Sequence, residues 1–386
     1  MTVEQNISRL NYLLNLFRLS DSELLKIINQ GVKRKLTKDD VFSKEIKVSN
    51  LKKVDRVFNK GLSFYIDPQD PPENKQASIF FRKRKFNSEL NLKAKQIVNE
   101  FEELKLSISA IAKLSDIDLK RNIPVLSIRN SPKESAIKYR DILYPSFSVN
   151  QKHFLTSLIN KLAEFNVFVF EFVETWNQLE KANIDGIYIE PNVIVIKRQE
   201  YSFRREIFTL AHELAHYLLN VEEVEKLDYD VLAKHNLGDI ENWCNDFAFY
   251  FLIGKYESIF NKLSFADSSN DYHHATIKEI SEKTHLSELA LYTRLRFADK
   301  ISYQSYIFIK TSIEEKIKEY FEEEKRKRDL EKQLDPDKQG GGAKIPIKSN
   351  LLISTIQTAF YDGVIGEYEV CKTLKISPNK IGNYIQ

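Results

Sequence analysis

Hydrophobic and polar positions divide this chain most sharply between residues 201 and 220, YSFRREIFTLAHELAHYLLN. Placed at about 100° per residue, Ile207, Ala211, Leu214, Ala215 and Leu218 fall on one side of a helix. Thr209, His212, Glu213, His216 and Asn220 fall on the other. One face is built for a core and the opposite face for chemistry. Upstream, VFVFEFV (167–173) reads as a strand, and GIYIEPNVIVIKR reads as two short strands joined by a tight turn at Pro191-Asn192. That hairpin feeds the two-faced helix, and an edge strand beside it would let an extended peptide add to the sheet. Downstream, ENWCNDFAFYFLIG places Glu241, Cys244, Asn245, Ala248 and Leu252 on a shared helical face.

Elsewhere the periodicity is mostly helical. Residues 1 to 66 give short helices at ISRLNYLLNLFRL, SDSELLKIINQ (Ser20 or Asp21 as cap) and SNLKKVDRVFNK. Leu92, Ile97, Phe101, Leu104 and Ile108 predict one long helix and a shorter one in 87–120. VNQKHFLTSLINKLAEF predicts another helix, and KEISEKTHLSELALYTRLRFADKI starts a helix near Thr284 and Ser287. SIEEKIKEYFEEEKRKRDLEKQL predicts a charged helix from Ser312 to Leu334, with Glu322–Arg326 and Glu324–Arg328 pairs one turn apart. The tail from Leu351 predicts three short helices. The fold class is therefore α+β: a mainly helical multidomain chain with a small mixed sheet. Proline and glycine punctuation sets the boundaries. Residues 1–66 form a helical domain, 67–130 a proline-containing linker with packing helices, and 131–311 the domain of the two-faced helix. Residues 312–349 form the charged helix and glycine-rich linker, and 350–386 a small helical module.

Composition changes this picture little. Of 386 residues, 42% are hydrophobic and 29% charged, which suits a folded, water-facing protein with a sizeable core. The 58 basic and 55 acidic residues leave a net charge of +3, so no global field points to nucleic acid. Local candidates are Lys33 to Lys35, and Arg82 to Lys85 flanked by Phe80, Phe81 and Phe86. Cys244 and Cys371 alone make no disulfide framework. No stretch reaches the roughly 18 apolar residues of a membrane span, and the N-terminus lacks the features of a secretory signal. The expected location is the cytoplasm.

The chemistry lies in His212, Glu213 and His216, an H-E-x-x-H pattern. Its spacing stacks two imidazoles over one Zn²⁺ and sets a glutamate beside the ion as the base for a water proton. A third ligand is expected at Glu241, with Cys244 and His235 as alternatives; the adjacent pair His273 and His274 is ill-placed to chelate one ion. Two histidines, a carboxylate and water make a catalytic site rather than a closed structural one. Tyr217 is a candidate for steadying the oxyanion, and His285 reads as a surface or capping residue.

The runs RREIFTLAHELAHYLLN and ENWCNDFAFYFL together resemble the ImmA/IrrE family of zinc metallo-endopeptidases. That resemblance implies a zincin-like peptidase domain, zinc held by His212, His216 and Glu241, and Glu213 as general base. It also implies selective intracellular cleavage of a helix-turn-helix repressor or antitoxin, and a degenerate, Xre-like helix-turn-helix domain at the N-terminus with DNA as a candidate partner. LFRLSDSELLKII and VSNLKKVDRVFNKGLSFYI resemble helices of such a domain, although the middle lacks a clean recognition helix. Ala215, Asn220, Cys244 and Ile253-Gly254 depart from the common family residues without removing a ligand or the base. A DNA-binding regulator whose metal domain senses a partner without cutting it, and a toxin-like member of a two-component operon, are the competing readings.

Overall fold

The computed structural model describes residues 1–71, 90–174, 180–198, 203–223, 238–334 and 344–385. The basic-aromatic run Arg82 to Lys85, His235, and the glycines from Gly340 lie outside the described residues. The chain is an α+β protein dominated by helices, with two small sheets among the described residues. It divides into two compact units, one of residues 1–107 with 179–184 and one of residues 108–178 with 185–386.

The first unit opens with β1 (Thr2–Glu4), which pairs antiparallel with β2 (Glu45–Lys47) so that Val3 faces Ile46. Around this ribbon lie α1 (Ile7–Phe17), α2 (Asp21–Ile28), α3 (Lys38–Phe42), α4 (Val48–Phe58) and α5 (Leu62–Ile66). The α2 start follows from its sequence: Ser20 accepts from the Glu23 amide while the Glu23 carboxylate accepts from the Ser20 amide. Such a cap contributes about 1 kcal/mol. Leu10, Leu13, Phe17, Leu24, Leu51, Val54 and Phe58 form the core, with the Phe17 and Phe58 rings 5.4 Å apart. Between α2 and α4 the sole helix is α3, five residues long. The apolar run after residue 90 forms a single helix, α6 (Leu92–Leu114), rather than a long helix followed by a shorter one.

In the second unit, α7 (Pro132–Leu143) starts with Ser131 as its cap and proline in its first turn, and α8 (Gln151–Ala163) follows. A three-stranded sheet of order β3-β5-β4 comes next, from β3 (Phe168–Phe172), β4 (Gly186–Ile189) and β5 (Val193–Lys197). Strands β4 and β5 form an antiparallel hairpin, with Ile187 opposite Val195. Strand β3 joins parallel to β5, with Phe170 opposite Val195. Val193 through Ile196 are all buried, as a central strand covered on both faces requires.

On the sheet lies α9 (Phe203–Leu219), backed by α10 (Asp239–Ile253), then α11 (Glu257–Asn261), α12 (His274–Thr284), α13 (Glu288–Phe297) and α14 (Tyr303–Leu334). The charged helix thus begins nine residues before Ser312, because Tyr306 and Ile309 give its first turns a buried side. Along its exposed part Glu324 pairs with Lys327 at 3.1 Å; the Arg328 side chain lies outside the described residues. The tail forms α15 (Asn350–Tyr361), α16 (Glu367–Leu374) and a 3-10 turn over Pro378–Asn383. Leu158, Leu162, Ile194, Leu210, Leu214, Leu218, Phe247 and Phe251 share one continuous core. Each such side chain contributes about 1.5–3 kcal/mol by leaving water.

Candidate metal centre

The helix α9 is tied to the sheet at its N-terminal end. Arg198, just past β5, donates to Glu206 in the first helical turn at 2.8 Å and stands 3.7 Å from Glu171 of β3. Its guanidinium also stacks on Phe203, 4.0 Å from the ring centre. Arg205 pairs with Asp185, the residue before β4. Thus fixed, the helix buries its apolar side in the core and turns its other side toward α10 and β4.

His212, Glu213 and His216 occupy that second side, all fully buried. Glu241 enters from the first turn of α10. The Nε2 atoms of His212 and His216 are 3.1 Å apart, and the Glu241 carboxylate oxygens lie 3.3 Å from the first and 3.4 Å from the second. A tetrahedral ion with ligand bonds near 2.0 Å has donor-to-donor edges of about 3.3 Å. The two imidazole nitrogens stand about one such edge apart and a different Glu241 oxygen faces each, so the three side chains converge as a group able to hold a metal ion.

The protonation states agree with that use. Burial pushes His216 below the ordinary imidazole range, which keeps it neutral and able to act as a ligand. For Glu241 burial acts upward, but hydrogen bonding to the two imidazoles outweighs it and holds the carboxyl well below the usual range.

Neighbours of the donors are equally specific. His212 Nδ1 lies 3.0 Å from Asn245 Oδ1, within hydrogen-bond reach. Glu213 lies against Gly186: a β-carbon there would come within 2.6 Å of Thr209 Cγ2 and 2.7 Å of Glu213 Oε1. Asn245 and Gly186 were not assigned roles by spacing, since each depends on a contact across tertiary structure. Asn245 did carry a signal, standing one turn after Glu241 on the same helical face.

The other candidates stand elsewhere. Cys244 is fully buried in the apolar core and is not part of the converging group. His273 meets Ser264 at 3.2 Å and His274 meets the Tyr292 hydroxyl at 2.7 Å. His285 is a helix cap, as its left-handed backbone after α12 shows, but it is not a surface residue. It is buried, donates to the Ser148 carbonyl at 2.8 Å and stacks on Phe147. Tyr217 packs between Tyr188 and the Arg121 guanidinium, 3.9 Å above its ring, and so belongs to helix–sheet packing. Asn220 lies beyond the helix end, accepting from the Tyr188 hydroxyl and donating to Glu190.

The long second helix is also secured. Trp243 Nε1 donates to the Asn130 carbonyl at 2.8 Å, and the Arg140 guanidinium donates to the carbonyls of Phe251 and Leu252 at its far end. No helix among the described residues is long and apolar enough to cross a membrane.

No curated protein and no solved structure matches the chain. A family model does: residues 166–296 match Peptidase_M78, the IrrE N-terminal-like domain. The match begins just before β3 and ends at Arg296 of α13, so it spans the sheet and both helices that carry the donors. Residues 166–296 are thus similar to the IrrE N-terminal-like peptidase domain, and that part of the chain carries the resemblance to the ImmA/IrrE metallopeptidases.

Proposed function

We propose that this chain is a zinc-dependent endopeptidase that cuts a selected regulatory protein, a helix-turn-helix repressor or antitoxin. The observation that carries the reading is the convergence of the His212, His216 and Glu241 donors, with Glu213 next to His212 on the same helix. In this reading those three residues hold the ion. When bound, Zn²⁺ supplies a water acidified from a pKa of about 15.7 to about 7 and a polarised scissile carbonyl. Glu213 accepts the proton of the attacking water and returns it to the leaving amine, acting as base and then as acid. The outer edge of β4, which pairs with β5 on its inner side only among the described strands, suits an extended peptide that adds main-chain hydrogen bonds.

Selectivity for a regulator follows from the family resemblance, and the substrate class is therefore the part most in need of test. A helix-turn-helix protein encoded beside this gene is the first substrate to incubate with the purified chain. Replacing Glu213→Gln should leave zinc content unchanged and lower cleavage by about 10²- to 10⁴-fold. A variant that cuts as fast as the parent would remove Glu213 from the reaction. Binding of the regulator by both forms, with neither cutting it, would instead favour a sensing role.

A further inference from the structure

A ligand imidazole has two requirements. Its metal-facing nitrogen must carry a lone pair, and its other nitrogen must hold the proton and be held in turn, so that the ring does not swing. His212 has a partner for the second: Asn245 Oδ1, 3.0 Å from Nδ1. Asn245 stands one turn after Glu241 on α10, so one helical face delivers both a donor to the ion and a support for the neighbouring donor. The helix is kept from rotating by Trp243 on the Asn130 carbonyl and by Arg140 on its last carbonyls.

We infer that Asn245 is a positioning residue, which locks His212 as the Nδ1–H tautomer and points its Nε2 at the ion. The inference rests on the metallopeptidase reading above. An amide fits the surroundings better than a carboxylate would at rest. Glu213 and Glu241 already place two carboxyl groups in this buried space, and a third would add negative charge where desolvation is costly. A carboxylate at 245 would still accept from Nδ1–H and would strengthen the ring as a donor.

Two measurements on the full chain test this. In the first, zinc affinity is read by competition with a chromophoric chelator. Asn245→Leu, close in size and without an acceptor, should weaken binding by about 10- to 100-fold. Asn245→Asp, which keeps the shape and the acceptor and adds charge, should bind zinc more tightly than the parent, a gain that a purely packing role would not produce. In the second, ¹⁵N-histidine spectra of the metal-free parent should show His212 protonated at Nδ1. A parent that binds zinc while Asn245→Leu binds it equally well overturns the inference and leaves the metal centre standing. A parent that takes up no zinc overturns the metal reading, and the inference with it. Should Asn245→Leu fail to fold, the tautomer decides: an Nε2–H signal for His212 overturns the inference, and an Nδ1–H signal supports it.

Discussion

Glu213 owes its place to a hydrogen atom on its neighbour as much as to its own helix. At Gly186 a methyl group would press first on Thr209 and on the Glu213 side chain. Gly186→Ala is therefore expected to retain zinc and lose about 100-fold in turnover, the scale of a 1 Å misplacement in an active site. Metal analysis and a cleavage assay on the same sample would show it, and equal loss of both would mean that the strand had moved instead. Glu241→Ala should act the opposite way, on the metal first. Zinc affinity is expected to drop by at least about 100-fold, whereas Cys244→Ala, altering a core sulfur, should leave it in place. At this scale the H-E-x-x-H helix was readable because helical period alone brings i and i+4 together. Glu241 was readable as a candidate from its helical face and zinc's ligand preferences, beside Cys244 and His235, and the family resemblance favoured it. Gly186 stayed silent, and Asn245 showed only the face it shares with Glu241, because nothing in a linear sequence says which strand or helix will lie against a given carboxylate or ring.

The elements around the site obey the same division. The β4–β5 hairpin could be read from its apolar runs and turn. Its parallel partner β3 was recognisable as a strand, but its register on β5 depends on packing between helices. The sheet carries a buried acid at Glu171, whose Oε2 accepts from the Ile347 amide at 2.6 Å. Burial, reinforced by Glu206 alongside and opposed by that amide and by Arg198, pushes its carboxyl up to about 8. The sign follows: the folded chain holds a proton that the unfolded chain releases near its usual 4.5. This contribution to stability is full below that value and is lost as pH rises through about 8. Glu171→Gln keeps an acceptor without the charge. The melting temperature of the parent should decline between about pH 5 and pH 8, and the variant should show a flatter profile in the same buffers. Parallel profiles would assign the decline to other groups.

Over the whole molecule, the two units answer to different parts of the sequence. The helices of the first were signalled by caps and apolar stripes, and Ser20 forms its capping box as a local rule demands. The five-residue α3 was not foreseeable, because short helices depend on tertiary support more than on propensity. In the second unit the ion, if bound as proposed, joins two helices and so belongs to the stability of the fold. Zinc at 100 times its dissociation constant contributes about 2.7 kcal/mol, or roughly 5–10 °C for a domain of 150–250 residues. Calorimetry before and after a chelator should show that shift in the unit of residues 108–178 and 185–386, and an unmoved transition would argue against a bound ion. The Ile347 amide carries a separate message for anyone trimming this protein. A fragment ending with the long charged helix would leave a buried glutamate facing empty space where a main-chain donor now stands. The shortest self-sufficient peptidase should thus extend well past the family boundary at 296, to include the strip of chain that comes back after the glycines and closes over the sheet.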